Sequence, residues 1–286
     1  TKILENNEVM IDDQFIGKIN GLKLELDLKK GALETDIKSL KKAARQSVGP
    51  ELEKRIQIII DTGLIDLNDD FKIYWNNSAV AKLISGKDYL NPGIDLIVDD
   101  ILEQDQKQKL IIFIEKWLKN KIDTVLKSLI DLKNIRENNP SIKALAFQLY
   151  ENNGVLKREQ VSEYLKNLEQ IERKILRDLG VKFGRYHIFL HKLIKPEAVS
   201  LRTLLWKNYH QKYFNLKPPV FGLNFLNDEN NKNKNFMLLC GFEKFNNIYV
   251  RIDILERLFM KIINSNTENK NEIKMTPEML NLLGCN

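Results

Sequence analysis

Between Val181 and Lys217 the chain carries eight Lys and Arg residues against a single acid, Glu197, and the same segment holds all three histidines and seven aromatic rings. Cations set along one face hold phosphates, and rings or guanidinium planes stack on unpaired bases, so this mixture suits a nucleic acid and single-stranded RNA in particular. Strand alternation from Val181 to Leu190 places Arg185, His187, Phe189 and His191 on one side, the side expected to face solvent, and Tyr186, Ile188 and Leu190 on the other. On a following helix, Arg202, Trp206, Tyr209 and Tyr213 recur at steps of four, three and four beside an apolar stripe of Leu201, Leu204 and Leu205. The candidate contacts are therefore Lys182, Arg185, Tyr186, His187, Lys192, Lys195, Arg202, Trp206, Lys207 and Lys212. The plainer alternative makes Trp206 and Tyr209 core and the cations a solvated face.

Other chemistries lack their residues. A nucleotide-hydrolysing site needs a Gly-rich loop ending in Lys-Ser/Thr and an acidic pair for magnesium. Here Gly86-Lys87 is followed by Asp88, and Gly17-Lys18 by Ile19. Asp99, Asp100 and Glu103 read as an acidic helix entry rather than a metal site. His187 and His191 stand four apart, roughly 13 Å on a strand at about 3.3 Å per residue, too far for one metal. No catalytic residue and no metal site are expected in this stretch of chain, and the fragment is expected not to be an enzyme.

At 286 residues with 43% hydrophobic content, the chain is long enough for one large or two small domains. The net charge of +6 lies almost wholly in 181–217, since that segment alone carries an excess of seven. Two cysteines, Cys240 and Cys285, without partners at zinc spacing, suit a reducing interior and a cytoplasmic setting. The apolar run from Leu110 to Trp117 is broken by Glu115 and Lys116, so no membrane span is expected. The start, Thr1-Lys2-Ile3, reads as a cut end of a longer chain.

Asn20-Gly21 predicts a type I′ hairpin pairing Ile19 with Leu22, with Phe15, Ile19, Leu22, Leu24 and Leu26 on one face. A second hairpin turns at Asn76-Asn77. Helices are expected near 34–47 and 50–61, the second starting at Pro50, and Asn91-Pro92-Gly93 punctuates the chain. A long amphipathic helix, or two in line, spans about 106–133. After Asn138-Asn139-Pro140, with Ser141 as a cap, three short helices and the strands Val181–Phe183 and Tyr186–Leu190 can form a helix-turn-helix with a wing. Further on, Phe236–Phe242 and Ile248–Ile252 read as strands, 227–235 and 264–272 as polar loops, Leu255–Ile263 as a helix, and Thr276-Pro277 opens a last helix. The expected fold is α+β, helix-dominated with short antiparallel hairpins, in two associated lobes: 1–137, ending in the long helix, and 138–286, containing the basic-aromatic segment.

The stretch GVKFGRYHIFLHKLIKPEAVSLRTLLW resembles the Gly-Val-Arg-Phe-Gly, Leu-Leu-Lys-Pro and Leu-Trp signature that follows the motor domains of alphaproteobacterial helicases related to the mitochondrial degradosome RNA helicase. Lys143-Ala144-Leu145-Ala146-Phe147-Gln148-Leu149 before Gly154, Val250-Arg251-Ile252-Asp253, and Thr276-Pro277-Glu278-Met279 extend the likeness over almost the whole chain, which departs at His191, where those relatives tend to have Pro. The resemblance implies a superfamily 2 RNA helicase whose ATP and magnesium sit in upstream motor domains, with this region as its C-terminal accessory part. Its expected task is to hold single-stranded RNA and extend the motor's track. The rivals are a scaffold docking a ribonuclease or another protein with no direct nucleic-acid contact, as degradosome helicases dock polynucleotide phosphorylase, or a spacer bracing the motor.

Overall fold

A computed structural model describes residues 2–27, 34–136, 139–228, 232–265 and 275–283. The fold is α+β, with several short antiparallel sheets among helices. Two compact units form: residues 1–121 with 204–214, and residues 122–203 with 215–286. The division therefore falls not at 137 but inside one long helix, and a second helix is shared between the units.

The first unit opens with a meander of β1 (Lys2–Ile3), β2 (Glu8–Ile11), β3 (Gln14–Asn20) and β4 (Lys23–Leu26), paired in chain order. The β3–β4 hairpin forms, but Asn20 pairs with Lys23, so the turn is Gly21-Leu22 rather than Asn20-Gly21. Only Gly21 has positive φ (+56), which is the requirement of a II′ turn and not of I′. Ile16 is an extra residue between the pairs Val9–Gly17 and Met10–Phe15; this bulge reverses the alternation, burying Ile16 and exposing Phe15.

Next comes α1 (Glu34–Thr62), one helix with Pro50 in its interior where two were expected. The second sheet has β5 (Asp66–Leu67), β6 (Lys72–Trp75), β7 (Ser78–Asp88) and β8 (Asn91–Leu96), again in chain order. Asn76 and Asn77 both take positive φ, the I′ turn that their sequence predicts. Asn91-Pro92-Gly93, by contrast, lies within β8; Pro92 is tolerated because β8 is an edge strand. Gly17-Lys18 and Gly86-Lys87 both lie inside strands. Asp99 is buried and accepts hydrogen bonds from the amides of Leu24 and Ile101 and from Lys41, so it ties β4 to the chain ahead of α2 (Gln104–Val125) and does not open a helix.

In the second unit, α3 (Lys127–Lys133) packs on α4 (Pro140–Glu151), which Asn139, not Ser141, caps through the amides of Ser141 and Ile142. Then come β9 (Val155–Lys157), a short 3₁₀ turn, α5 (Ser162–Lys166), α6 (Gln170–Asp178), β10 (Val181–Phe183) and β11 (His187–Leu190). The sheet order is β10-β11-β9, and α4 packs on both α5 and α6. Three helices and a three-stranded sheet in this chain order are the winged helix-turn-helix arrangement, with β10–β11 as the wing.

Beyond the wing lie α7 (Pro196–His210), β12 (Phe225–Asn227), α8 (Lys234–Leu239), β13 (Phe242–Phe245), β14 (Ile248–Arg251), α9 (Ile252–Ser265) and α10 (Pro277–Leu282). The Phe236–Phe242 stretch is helix as far as Leu239, because the Asn233 side chain caps the Phe236 amide, and the strand begins only after Gly241 at φ +87. Thr276 caps α10 through the Met279 amide. Residues 229–231 and 266–274, which cover parts of the two polar stretches expected as loops, lie outside the described residues, as does Cys285. Among the described residues no helix is long and apolar enough to cross a membrane.

Candidate nucleic-acid interface

The wing is built around one carboxylate. Glu256, on α9, accepts hydrogen bonds from three successive backbone amides: Arg185 at 2.5 Å, Tyr186 at 3.1 Å and His187 at 2.8 Å. Successive amides converging on one anion form a nest, here filled by the protein's own side chain. Gly184 is required beside it, because a Cβ there would lie 2.5 Å from the Glu256 carboxylate. The Gly184 amide donates to the His187 carbonyl at 2.8 Å, which leaves Arg185 and Tyr186 as the two residues of the tip, both exposed. Arg158 supports the tip by donating from Nη1 to the Gly184 carbonyl at 2.8 Å.

Under the tip, His187 joins two glutamates. Its Nδ1 is 2.9 Å from Glu256 Oε1 and its Nε2 is 3.7 Å from Glu243 Oε2, while Lys157 Nζ reaches Glu243 Oε1 at 3.2 Å. Burial alone lowers the His187 pKa, but hydrogen bonds to Glu243 and Glu256 and their charges outweigh it, and the net shift is upward. Glu243 is held below the ordinary carboxylate value by its hydrogen bond to His187, against burial and with help from Lys157. For Glu256, burial pushes upward, and His187 with the three wing amides bring it below the ordinary value. When His187 is protonated, its ring and the Lys157 ammonium face the two carboxylates, and the charges balance.

An open cleft of 570 Å³ lies beside the tip, with Lys157, Arg158, Arg185, Tyr186, Phe245 and Phe259 in its walls. Tyr186 is 48% exposed, and its ring packs at 4.1 Å on Phe259, tilted by 45°. On the outer side of the helix-turn-helix, α6 exposes Gln170, Ile171, Lys174, Arg177 and Asp178. Arg177 and Arg173 both lie over the Phe183 ring, at 5.6 and 5.9 Å. Arg173 also donates to the carbonyls of Leu165 and Leu168, and so satisfies the open C-terminal end of α5. Of the acids here, Glu169 and Glu172 form a capping box at the start of α6, while Asp178 at its end is exposed beside Arg177.

The sequence candidates divide by burial. Lys182, Arg185, Tyr186, Lys192, Lys195 and Lys212 are exposed. Lys182 stands on β10 and Arg185 and Tyr186 at the tip, whereas Lys192 and Lys195 lie past the other end of β11. His187 is 3% exposed and does not face solvent, because β11 is the central strand and both its faces are covered: His187 and Phe189 on one, against the glutamates, Val155 and Ile252, and the fully buried Ile188 and Leu190 on the other. Arg202 is wholly buried; its Nη1 donates to the Asn153 carbonyl at 2.7 Å, and its Nη2 to Leu193 and Leu239 at 2.9 and 2.7 Å. That guanidinium is spent on three backbone carbonyls inside the fold and is not presented to a phosphate.

Trp206, Lys207 and Lys212 belong to the first unit. Trp206 is buried, stacked on Tyr213 at 4.9 Å and against His210 at 4.3 Å, so its ring is not an open platform. Lys207 is buried over the Phe71 ring at 5.7 Å, while exposed Lys212 lies over Tyr213 at 5.1 Å. Sequence reasoning did not single out Lys157, Arg158, Lys174, Arg177, Glu243 or Glu256. The first four had a signal, because 140–195 holds eleven cations against six acids; the two glutamates had none, since Glu243 stands 56 residues from His187 and Glu256 about 70 from the amides it holds. Comparison with family models, curated proteins and solved structures gave no match for the chain.

Proposed function

We propose that this chain is a non-motor accessory region of an ATP-dependent RNA helicase in the cytoplasm, and that it holds single-stranded RNA on the wing and α6 of its second unit. The observation that carries the reading is the wing tip. Glu256 fixes the backbone of Arg185 and Tyr186, so a cation and a ring are presented together, already ordered, beside exposed Lys182. Preorganised groups lose less entropy on binding. The helicase assignment itself rests on the sequence resemblance, and the ATP and magnesium of such a motor are assigned to upstream domains, since both Gly-Lys pairs of this chain lie within strands.

A titration of the chain with single-stranded RNA at several salt concentrations tests it. Lys174, Arg177, Lys182 and Arg185 acting on four phosphates give a log–log slope of about −3. Lys182→Ala with Arg185→Ala weakens binding and flattens the slope; affinity and slope unchanged in that double variant would overturn the proposal. Docking of a ribonuclease then becomes the first choice. Its specific support is the exposed run Val220, Phe221 and Leu223 bordering a 240 Å³ cavity lined by Ile194, Val199 and Phe242.

A further inference from the structure

We infer that the cleft beside the wing is a nucleotide pocket, which takes one unstacked base of the bound strand against the rings of Tyr186 and Phe245 and its phosphate on Arg185 and Arg158. The inference deepens the strand-holding reading and rests on it for the identity of the ligand.

Three features of the cleft support it. First, its walls bring together the two groups that a nucleotide needs. Tyr186 from the wing and Phe245 from β13 are both partly exposed, at 48% and 39%, and Arg185, Arg158 and Lys157 accompany them. Second, the Tyr186 ring is backed by Phe259 and its backbone is held by Glu256, so the ring is set in place before any ligand arrives. Arg158 uses one N–H on the Gly184 carbonyl, and a guanidinium has five donors in a fork that matches a phosphate. Third, the cations of the cleft outnumber its free carboxylates: exposed Glu159 also lines the wall with Arg158 and Arg185, while the other two acids nearby are engaged. Glu256 lies under the wing amides, and Glu243 is paired with Lys157 and His187. The volume of 570 Å³ lies within the roughly 300–1,000 Å³ of small-molecule sites, enough for one nucleotide and too little for a length of duplex.

A base can enter only after leaving its stack, so the pocket would make the surface prefer single strands. Duplex RNA would meet the cations of the wing and α6 but leave the cleft empty.

The test uses the 286-residue chain and a short single-stranded RNA with one iodouracil, which cross-links on irradiation to the ring it stacks on. Cross-links mapped to Tyr186 or Phe245, together with an affinity loss of roughly five- to one-hundred-fold in Tyr186→Leu and in Phe245→Leu at unchanged salt slope, are the expected result. The two variants lie on different elements, and far-UV circular dichroism checks that each is folded. RNA binding with cross-links only elsewhere, or with affinity unchanged in both folded variants, overturns the pocket and leaves the strand-holding reading intact. In a parallel arm, ribonucleoside 5′-monophosphates are titrated by NMR. Shifts confined to the cleft without any RNA binding keep the pocket and overturn strand holding, and no response in either arm overturns both.

Discussion

The wing tip and α7 have similar compositions and opposite roles. Gly184–His187 contains an arginine, a tyrosine and a histidine; residues 202–210 contain an arginine, a lysine, a tryptophan, a tyrosine and a histidine. At the tip the cation and the tyrosine ring are exposed while their backbone is pinned by Glu256. In α7, Leu201 to Asn208 are all buried, and the polar members are engaged with other parts of the fold: Arg202 with three carbonyls, Asn208 with the Ile84 carbonyl, Lys207 with Phe71. Basic and aromatic content alone does not separate a ligand surface from a polar core. What separates them is whether the side chain or only the backbone is satisfied internally.

The largest effects should come from α7. Arg202→Ala leaves two buried carbonyls and one part-buried carbonyl without a donor, at about 1–3 kcal/mol for each buried one, so a loss of about 3 kcal/mol or more is expected in urea unfolding. Arg202→Lys should recover only part of it, since an ammonium lacks the planar fork. Trp206→Ala should cost about 3–5 kcal/mol as a core truncation. If either variant stayed fully stable but lost RNA affinity, α7 would be the ligand surface and the comparison would be inverted.

Glu256→Ala should follow closely. It leaves His187 and three wing amides without their anion, and breaking a buried pair from one side costs about 3–5 kcal/mol. Protection of the Arg185, Tyr186 and His187 amides from hydrogen exchange should drop selectively; uniform loss across the second unit would mean that the carboxylate braces the core rather than the wing.

The same network gives a pH dependence of fixed sign. The folded pKa of His187 is raised, so its contribution is complete below the unfolded value of 6.5 and is lost as pH rises through the folded value. Glu243 and Glu256 are lowered, so theirs are complete above 4.5 and are lost as pH falls through their folded values. Stability from this network should therefore be greatest between 4.5 and 6.5 and decline above that window, and His187→Gln should remove the decline on the alkaline side. A thermal scan across pH reads it directly, and an unchanged alkaline limb in His187→Gln would assign that decline to other groups.

The smallest effect on stability is expected at the tip itself. Lys182→Ala with Arg185→Ala should change unfolding by less than about 0.5 kcal/mol, as surface substitutions do. Its consequence should appear in binding, where two lost phosphate contacts reduce the salt slope by about 1.4. Set against Arg202→Ala, this variant separates a cation that holds a ligand from one that holds the fold.

Local signals determined much of this protein. Asn76-Asn77 dictates its I′ turn because both residues must take positive φ, and asparagine does so at low cost. Thr276-Pro277 starts α10, and the order of three helices and two late strands already contained the winged arrangement. These features depend on neighbours a few residues apart, and such preferences are carried by residue type. Tertiary structure decided the rest. The bulge at Ile16 set which residues face the core, the central position of β11 buried His187, and Leu201–Asn208 of α7 became internal although their sequence mixes polar and apolar residues. Glu256 lies about seventy positions from the amides it organises, and no local preference encodes that meeting. Burial of a charged or aromatic side chain depends on which distant segment covers it, so the composition of 181–217 announced chemistry while only the packed chain chose which of its residues can perform it.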